Sequence, residues 1–191
     1  MSEVERIAPE TAPGGEKKKK TVKQEIFEWI KAIVIALVVV FIIRKFFFTM
    51  IRVDGKSMLE TLQDGDRVAA TIIDMKLYGP QRGNIVICTY PGQDYLCIKR
   101  VIGMPGDTLQ IIRGVTYING EVYEEPYVTH PKTNEYYGPI TLGEDEYFVM
   151  GDNRAVSHDS RSSDVGPLSA SAIEGNARLR LWPLNAIGTL D

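Results

Sequence analysis

Three separated stretches hold residues able to do chemistry. In Val53-Asp54-Gly55-Lys56-Ser57-Met58-Leu59-Glu60-Thr61-Leu62 a serine sits two residues after a glycine, just past a hydrophobic segment. In Leu96-Cys97-Ile98-Lys99-Arg100-Val101-Ile102 a lysine is embedded in an apolar run. Gly151-Asp152-Asn153-Arg154-Ala155-Val156-Ser157-His158-Asp159-Ser160-Arg161 is dense in hydrogen-bonding groups. A serine hydroxyl is a poor nucleophile until a base removes its proton. Histidine usually serves, but lysine can where apolar burial disfavours its charged form.

Each stretch also has a plainer reading. Serines near glycine are commonly turn residues. Strand alternation puts Lys99 on one face with Cys97 and Val101, and Arg100 on the other with Ile98 and Ile102. On an edge strand both cations would be solvated; on a strand buried on both faces one must point inward. The third stretch could be a loop whose Asp and Arg pair with each other. His158 within it raises a Ser-His-Asp arrangement as an alternative.

In combination and order, the three blocks resemble the type I signal peptidases, membrane-bound serine proteases with a Ser/Lys dyad. The likeness runs from about Glu28 to the C-terminus. It is carried by Gly55-Lys56-Ser57-Met58 with Thr61-Leu62, by Ile98-Lys99-Arg100-Val101-Ile102-Gly103 with Pro105-Gly106-Asp107, by the third block, and by Arg180-Leu181-Trp182-Pro183-Leu184. The resemblance implies that Ser57 attacks the scissile carbonyl, that its backbone N–H helps hold the oxyanion, and that Lys99 is the base. It further implies that Ser157 hydrogen-bonds the lysine and that Asp159 and Arg161 form a supporting ion pair. His158 falls at a variable position of the pattern.

The implied reaction is removal of signal peptides from exported preproteins, with small residues before the cleaved bond (Ala-x-Ala) and neither cofactor nor metal. Two departures stand out. Some members carry a serine hydroxyl as a second oxyanion donor where this chain has Gly55. The family proline before the threonine is replaced by Glu60, which gives up a fixed φ and adds an anion. Glu60 is the one feature favouring a catalytically dead, membrane-tethered module that binds exported peptides. Self-cleaving repressors share the Ser/Lys chemistry, but the apolar segment described next speaks against that type.

Residues 1–25 are polar, with Lys17 to Lys20, Pro9 and Pro13, and are expected to be a disordered cytoplasmic tail. Residues 26–45 are expected to be a single transmembrane helix. Its uninterrupted apolar core, Ala32 to Ile43, is shorter than the about 20 residues a bilayer needs. Trp29 and Ile30 extend it at one end and Phe46 to Phe48 at the other, with Lys31, Arg44 and Lys45 snorkelling. A buried core helix is the alternative. A cleaved signal peptide is disfavoured, because Arg44-Lys45-Phe46-Phe47-Phe48 follows instead of small residues. The lysines before the span place the N-terminus in the cytoplasm and the main domain on the outer face.

Residues 46–191 read as a mainly β catalytic domain: one antiparallel, partly closed sheet. Short apolar runs at 67–73, 84–90, 95–102, 108–112, 115–118, 146–150 and 177–182 alternate with turns. Asn119-Gly120 marks a two-residue hairpin. Residues 123–143 look like a long excursion. Exposed Phe46 to Phe48, Met50 and Ile51 either dip into the bilayer or pack in the core. Cys88 would face Cys97 across a hairpin, as a disulfide or as two buried thiols.

Charge narrows the partners. Residues 1–45 hold nine Lys/Arg against six Asp/Glu, whereas 46–191 hold thirteen against nineteen. An acidic main domain argues against a nucleic-acid partner, which needs a basic face. His130 and His158 are far apart, and no Cys/His spacing suggests zinc. The expected partners are signal peptides of preproteins and the lipid bilayer, with no obligate protein partner.

Overall fold

The computed structural model describes residues 22–46 and 48–190, with side chains described outside 42–48. The lysine run Lys17 to Lys20 and most of the expected tail lie outside the described residues, as do the Phe46 to Phe48 side chains.

The first unit is α1, Val22–Phe46, a 25-residue helix that begins inside the expected tail. Lys23, Glu25, Glu28 and Lys31 crowd its first turns and shorten its apolar part. Among the described residues no helix is long and apolar enough to cross a membrane. The helical half of the anchor expectation is met.

The second unit is antiparallel β. Its strands are β1 (Phe48–Arg52), β2 (Arg67–Thr71), β3 (Ile85–Thr89), β4 (Leu96–Gly103), β5 (Thr108–Ile112) and β6 (Val115–Ile118). They continue as β7 (Glu121–Val122), β8 (Tyr136–Thr141), β9 (Glu146–Met150), β10 (Leu168–Ser169), β11 (Ile173–Trp182) and β12 (Gly188–Thr189). The larger sheet runs β1-β2-β11-β3-β4-β9-β10, with β12 on β11; the smaller runs β7-β6-β5-β8. The expectation of one partly closed sheet is therefore corrected to two open sheets. β1 and β10 end the larger one and do not pair with each other, so nothing closes it.

Alternation marked most strands because each sheet buries one face. In β5, Leu109 and Ile111 point inward between half-buried Thr108 and Gln110. Leu109, Ile111, Leu142, Phe148, Met150 and Ile102 form the core that joins the two sheets. The Asn119-Gly120 turn has positive φ at both residues and pairs Ile118 with Glu121, as its sequence requires.

The excursion hides a strand. β8 pairs with β5 across a register shift, at the point where Gly138-Pro139 interrupts any regular pattern. Gly138 has φ +75°, and a Cβ there would lie 2.7 Å from the Leu109 carbonyl oxygen. This bend is open only to glycine, and the proline after it made the stretch read as loop. A short helix, α2 (Ile73–Tyr78), was likewise invisible, because six residues display no periodicity.

Candidate active site

The serine loop hangs from the end of β1. Val53 donates to the Asp66 carbonyl (2.8 Å) and accepts from Gly65 N–H (2.9 Å), so β1 and β2 stay zipped to the threshold of the loop. Past Ser57 the chain turns back on itself, with Leu62 N–H on the Met58 carbonyl at 2.8 Å. The Leu59–Glu60 peptide bond within this turn is cis. Met58 and Leu62 are fully buried against Val53, Ile98 and Ala177. These apolar plugs flank Ser57, which is itself left half-buried at the surface.

Lys99 comes from the middle of the sheet. β4 pairs with β3 along Leu96–Arg100 and with β9 along Arg100–Gly103. The solvated-edge alternative therefore fails: Lys99 is 5% exposed and Arg100 3%. Lys99 Nζ donates to Ser57 Oγ at 3.0 Å and to the Ile98 carbonyl at 2.9 Å. Its Nζ also stands 6.0 Å from the centre of the Tyr90 ring. Tyr90 is buried, which pushes its phenol up, and its hydroxyl donates to the His158 carbonyl at 2.8 Å. It forms one wall around the lysine, and the sequence reading did not single it out.

Ser57 and Lys99 line a cleft of about 370 Å³ with Val53, Gly55, Ile98 and Cys97. Cys97 faces Cys88 in register, and both thiols are free. Burial pushes Cys88 up to about 12, against the opposing pull of Lys99, and raises Cys97 as well.

The 151–161 block grips the loop from behind. Asn153 N–H donates to the Ser57 carbonyl at 3.0 Å, and its side-chain amide donates to the Lys56 carbonyl at 3.1 Å. Asp152 is fully buried. It takes Arg100 in a two-pronged pair, 3.0 and 2.8 Å, and accepts Thr61 Oγ1 at 2.5 Å. Burial opposes the Arg100 charge, but the Asp152 hydrogen bonds and carboxylate hold the guanidinium above its ordinary value. Arg100 also stacks 3.9 Å from the Tyr127 ring centre. Thus Lys99 and its neighbour Arg100, on the other face of β4, both engage the serine loop, one directly at Ser57 and the other through Asp152 and Thr61.

Asp159 and Arg161 form a two-pronged pair, with both prongs at 2.8 Å. Gly151 N–H also donates to Asp159 at 3.0 Å. Burial alone would raise the Asp159 carboxyl, but Arg161 and the Gly151 N–H hold it below the usual carboxylate range. Arg161 continues to Glu135 at 2.5 Å, and Arg154 pairs with Glu125. These glutamates lie in the segment between β7 and β8, a stretch the sequence offered only as an excursion.

Ser157 departs from its implied part. The Ser157 hydroxyl stands close enough to help hold Asp159 low, yet among the described residues its buried Oγ makes no hydrogen bond of normal geometry, to Lys99 or to any other group. His158 is turned outward: its Nε2 meets Asp164 at 3.0 Å and its side chain is 48% exposed.

Gly151 shows how tight this packing is. A Cβ there would lie 2.3 Å from Ser157 Oγ and 2.4 Å from the Ser57 carbonyl oxygen. Gly151→Ala must push the serine loop away from β4. Misplacing reacting groups by about 1 Å costs on the order of 100-fold. Turnover of a peptide substrate should fall by at least that factor, with the larger effect on kcat. A near-normal rate would show that the loop yields without moving Ser57.

A serine hydroxyl held at a buried lysine can carry out acyl transfer. The sequence profile of the family described as "Signal peptidase, peptidase S26" matches residues 26–182. The chain belongs to this signal peptidase family. It is 37% identical over 181 residues to signal peptidase I of Bacillus amyloliquefaciens, covering 90% of this chain and 96% of that one. It is 38% identical over 173 residues to signal peptidase I S of Bacillus subtilis, covering 85% and 92%. A signal peptidase I from Enterococcus faecalis of known crystal structure is 32% identical, covering 51% of this chain and 95% of that one, with a TM-score of 0.43. Family membership makes the chain a serine endopeptidase, a hydrolase of peptide bonds acting in signal-peptide removal.

Proposed function

We propose that the chain is a membrane-anchored signal peptidase in which Ser57 is the nucleophile and Lys99 the general base. The observation that carries this reading is the 3.0 Å contact between Ser57 Oγ and Lys99 Nζ in an open cleft. Lys99 takes the Ser57 proton as Oγ attacks the scissile carbonyl. It then gives that proton to the departing amine, leaving an acyl-enzyme on Ser57. Water enters, Lys99 removes its proton, and hydrolysis frees the signal peptide and regenerates Ser57. The Ser57 N–H is the proposed oxyanion donor.

Substrate would bind as an added strand. β9 covers only Arg100–Gly103, so among the described residues no strand pairs with that edge of Leu96–Lys99 beside the cleft. An extended peptide along that edge would place small side chains over Val53, Met58 and Ile98. Asp152, Asn153, Asp159 and Arg161 act by positioning the serine loop and the block behind it. Residues 46–191 form the catalytic domain in this reading.

Residues 26–45 are the proposed anchor, supported by the apolar run Ala32 to Ile43 and its flanking Trp29, Lys31, Arg44 and Lys45. The N-terminus would lie on the cytoplasmic side and the catalytic domain on the outer face. Met50 is exposed and available to a lipid surface, whereas Ile51 packs against the core.

The test is incubation of the full chain in membranes with an exported preprotein. Cleavage after an Ala-x-Ala segment, with the enzyme resisting extraction by alkaline carbonate, is expected. Binding without cleavage would leave a peptide-binding module in its place. Release by carbonate would remove the anchor.

A further inference from the structure

A cavity of about 690 Å³, larger than the Ser57–Lys99 cleft and sharing Arg52 with it, opens at one end of the β1-β2-β11 ladder. Arg52 on β1 is directly opposite Arg67 on β2, and Trp182 on β11 is the other partner of Arg67. Like charges directly opposed across a ladder repel. Neither guanidinium has an ion pair or hydrogen bond among the described residues. The nearby carboxylates are already taken. Asp66 is buried, accepting Gln63 N–H at 3.0 Å and Arg180 at 3.3 Å, and Asp64 accepts Gly55 N–H at 3.0 Å. A repulsive pair is thus kept in a domain whose overall balance is acidic, at the mouth of a cavity shared with Arg180.

The surroundings point to the source of a balancing anion. Trp182 is 49% exposed, Leu184 68% and Ile187 57%. Tryptophan and aliphatic side chains beside cations suit the level where lipid headgroups meet water. Guanidinium forks match phosphate oxygens two at a time. Arg52 follows the end of α1 by six residues, a chain span of at most about 22 Å.

We propose that Arg52, Arg67 and Arg180 form a binding site for the phosphate of an anionic phospholipid headgroup. The lipid source rests on the membrane-anchored reading above; the anion site itself does not.

The experiment uses the full chain in neutral detergent micelles, carrying Trp29→Phe so that Trp182 is its only tryptophan. It also carries Ser57→Ala, so that the result is independent of the catalytic assignment. The chain is titrated with short-chain phosphatidylglycerol, short-chain phosphatidylcholine, inorganic phosphate or an acidic peptide. Phosphatidylglycerol should shift Trp182 emission saturably, and phosphatidylcholine should not. Arg52→Gln with Arg67→Gln should weaken phosphatidylglycerol binding at least tenfold, and Arg52→Lys with Arg67→Lys by less. Because the pair repels, the Gln variant should melt at the same or a higher temperature than its parent. Equal binding of inorganic phosphate would assign the site to free anions and overturn the lipid. An acidic peptide that binds where phosphatidylglycerol does not would assign it to substrate. Unchanged lipid binding in the Gln variant, or a large fall in its melting temperature, would overturn the site altogether.

Discussion

Ser57→Ala is expected to abolish preprotein cleavage, and Lys99→Ala to do the same, each by at least about 10⁴-fold. The 3.0 Å contact makes the two side chains one device, so the double variant should be no worse than either single one. Lys99→Arg should fail as well, because a guanidinium does not give up its proton in proteins. His158→Ala should keep most activity, since that ring faces Asp164 and solvent. Urea unfolding midpoints close to the parent's would separate lost chemistry from lost structure. A dead His158→Ala beside an active Lys99→Ala would replace the lysine base by a histidine.

Asp152→Ala should carry the second large effect, this time on stability. It would strip a fully buried guanidinium of its two-pronged partner and leave Thr61 without its acceptor. Removing one member of a buried ion pair costs about 3–5 kcal/mol, mostly from the stranded charge. For a chain of this size that lowers the melting temperature by roughly 10 °C. Thr61→Val, which removes only one neutral donor, should cost about 1 kcal/mol. Activity should fall in Asp152→Ala even below its new melting point, because the back of the serine loop is no longer tied to β4. A loss under 1 kcal/mol would mean that water or a rearranged side chain replaces the carboxylate.

The sequence was most legible where a residue's environment is local. β3 to β6, β9 and the Asn119-Gly120 turn follow from alternation and turn chemistry, which act over a few residues. Ser57, Lys99 and the Asp159–Arg161 spacing stood out through their resemblance to a family rather than through pattern. Strand alternation put Lys99 and Arg100 on opposite faces, but burial of both depends on β9 lying beside β4, a contact about fifty residues away in sequence. Tyr90, Asp152, Glu125 and Glu135 escaped for the same reason: each is defined by its partner, and each partner is distant along the chain. β8 was hidden by the bend at Gly138, where tertiary packing overrides the usual reading of proline. Ser157 is the reverse case: the family pattern implied a bond to the lysine that its hydroxyl does not make.

The order of strands has a consequence for how the enzyme comes into being. Ser57 hangs from the β1–β2 pair, and Lys99 sits on the β3–β4 pair. These two hairpins are not bonded to each other; β11 lies between β2 and β3 and is the seam that joins them. Asn176 pairs with Thr71 across more than a hundred residues. Each hairpin can close locally, but loop closure over such separations is slow. The proposed nucleophile and base are therefore expected to meet only after the last long strand has inserted. While the C-terminal segment is still being made, the chain holds both side chains of the proposed dyad and yet no assembled site.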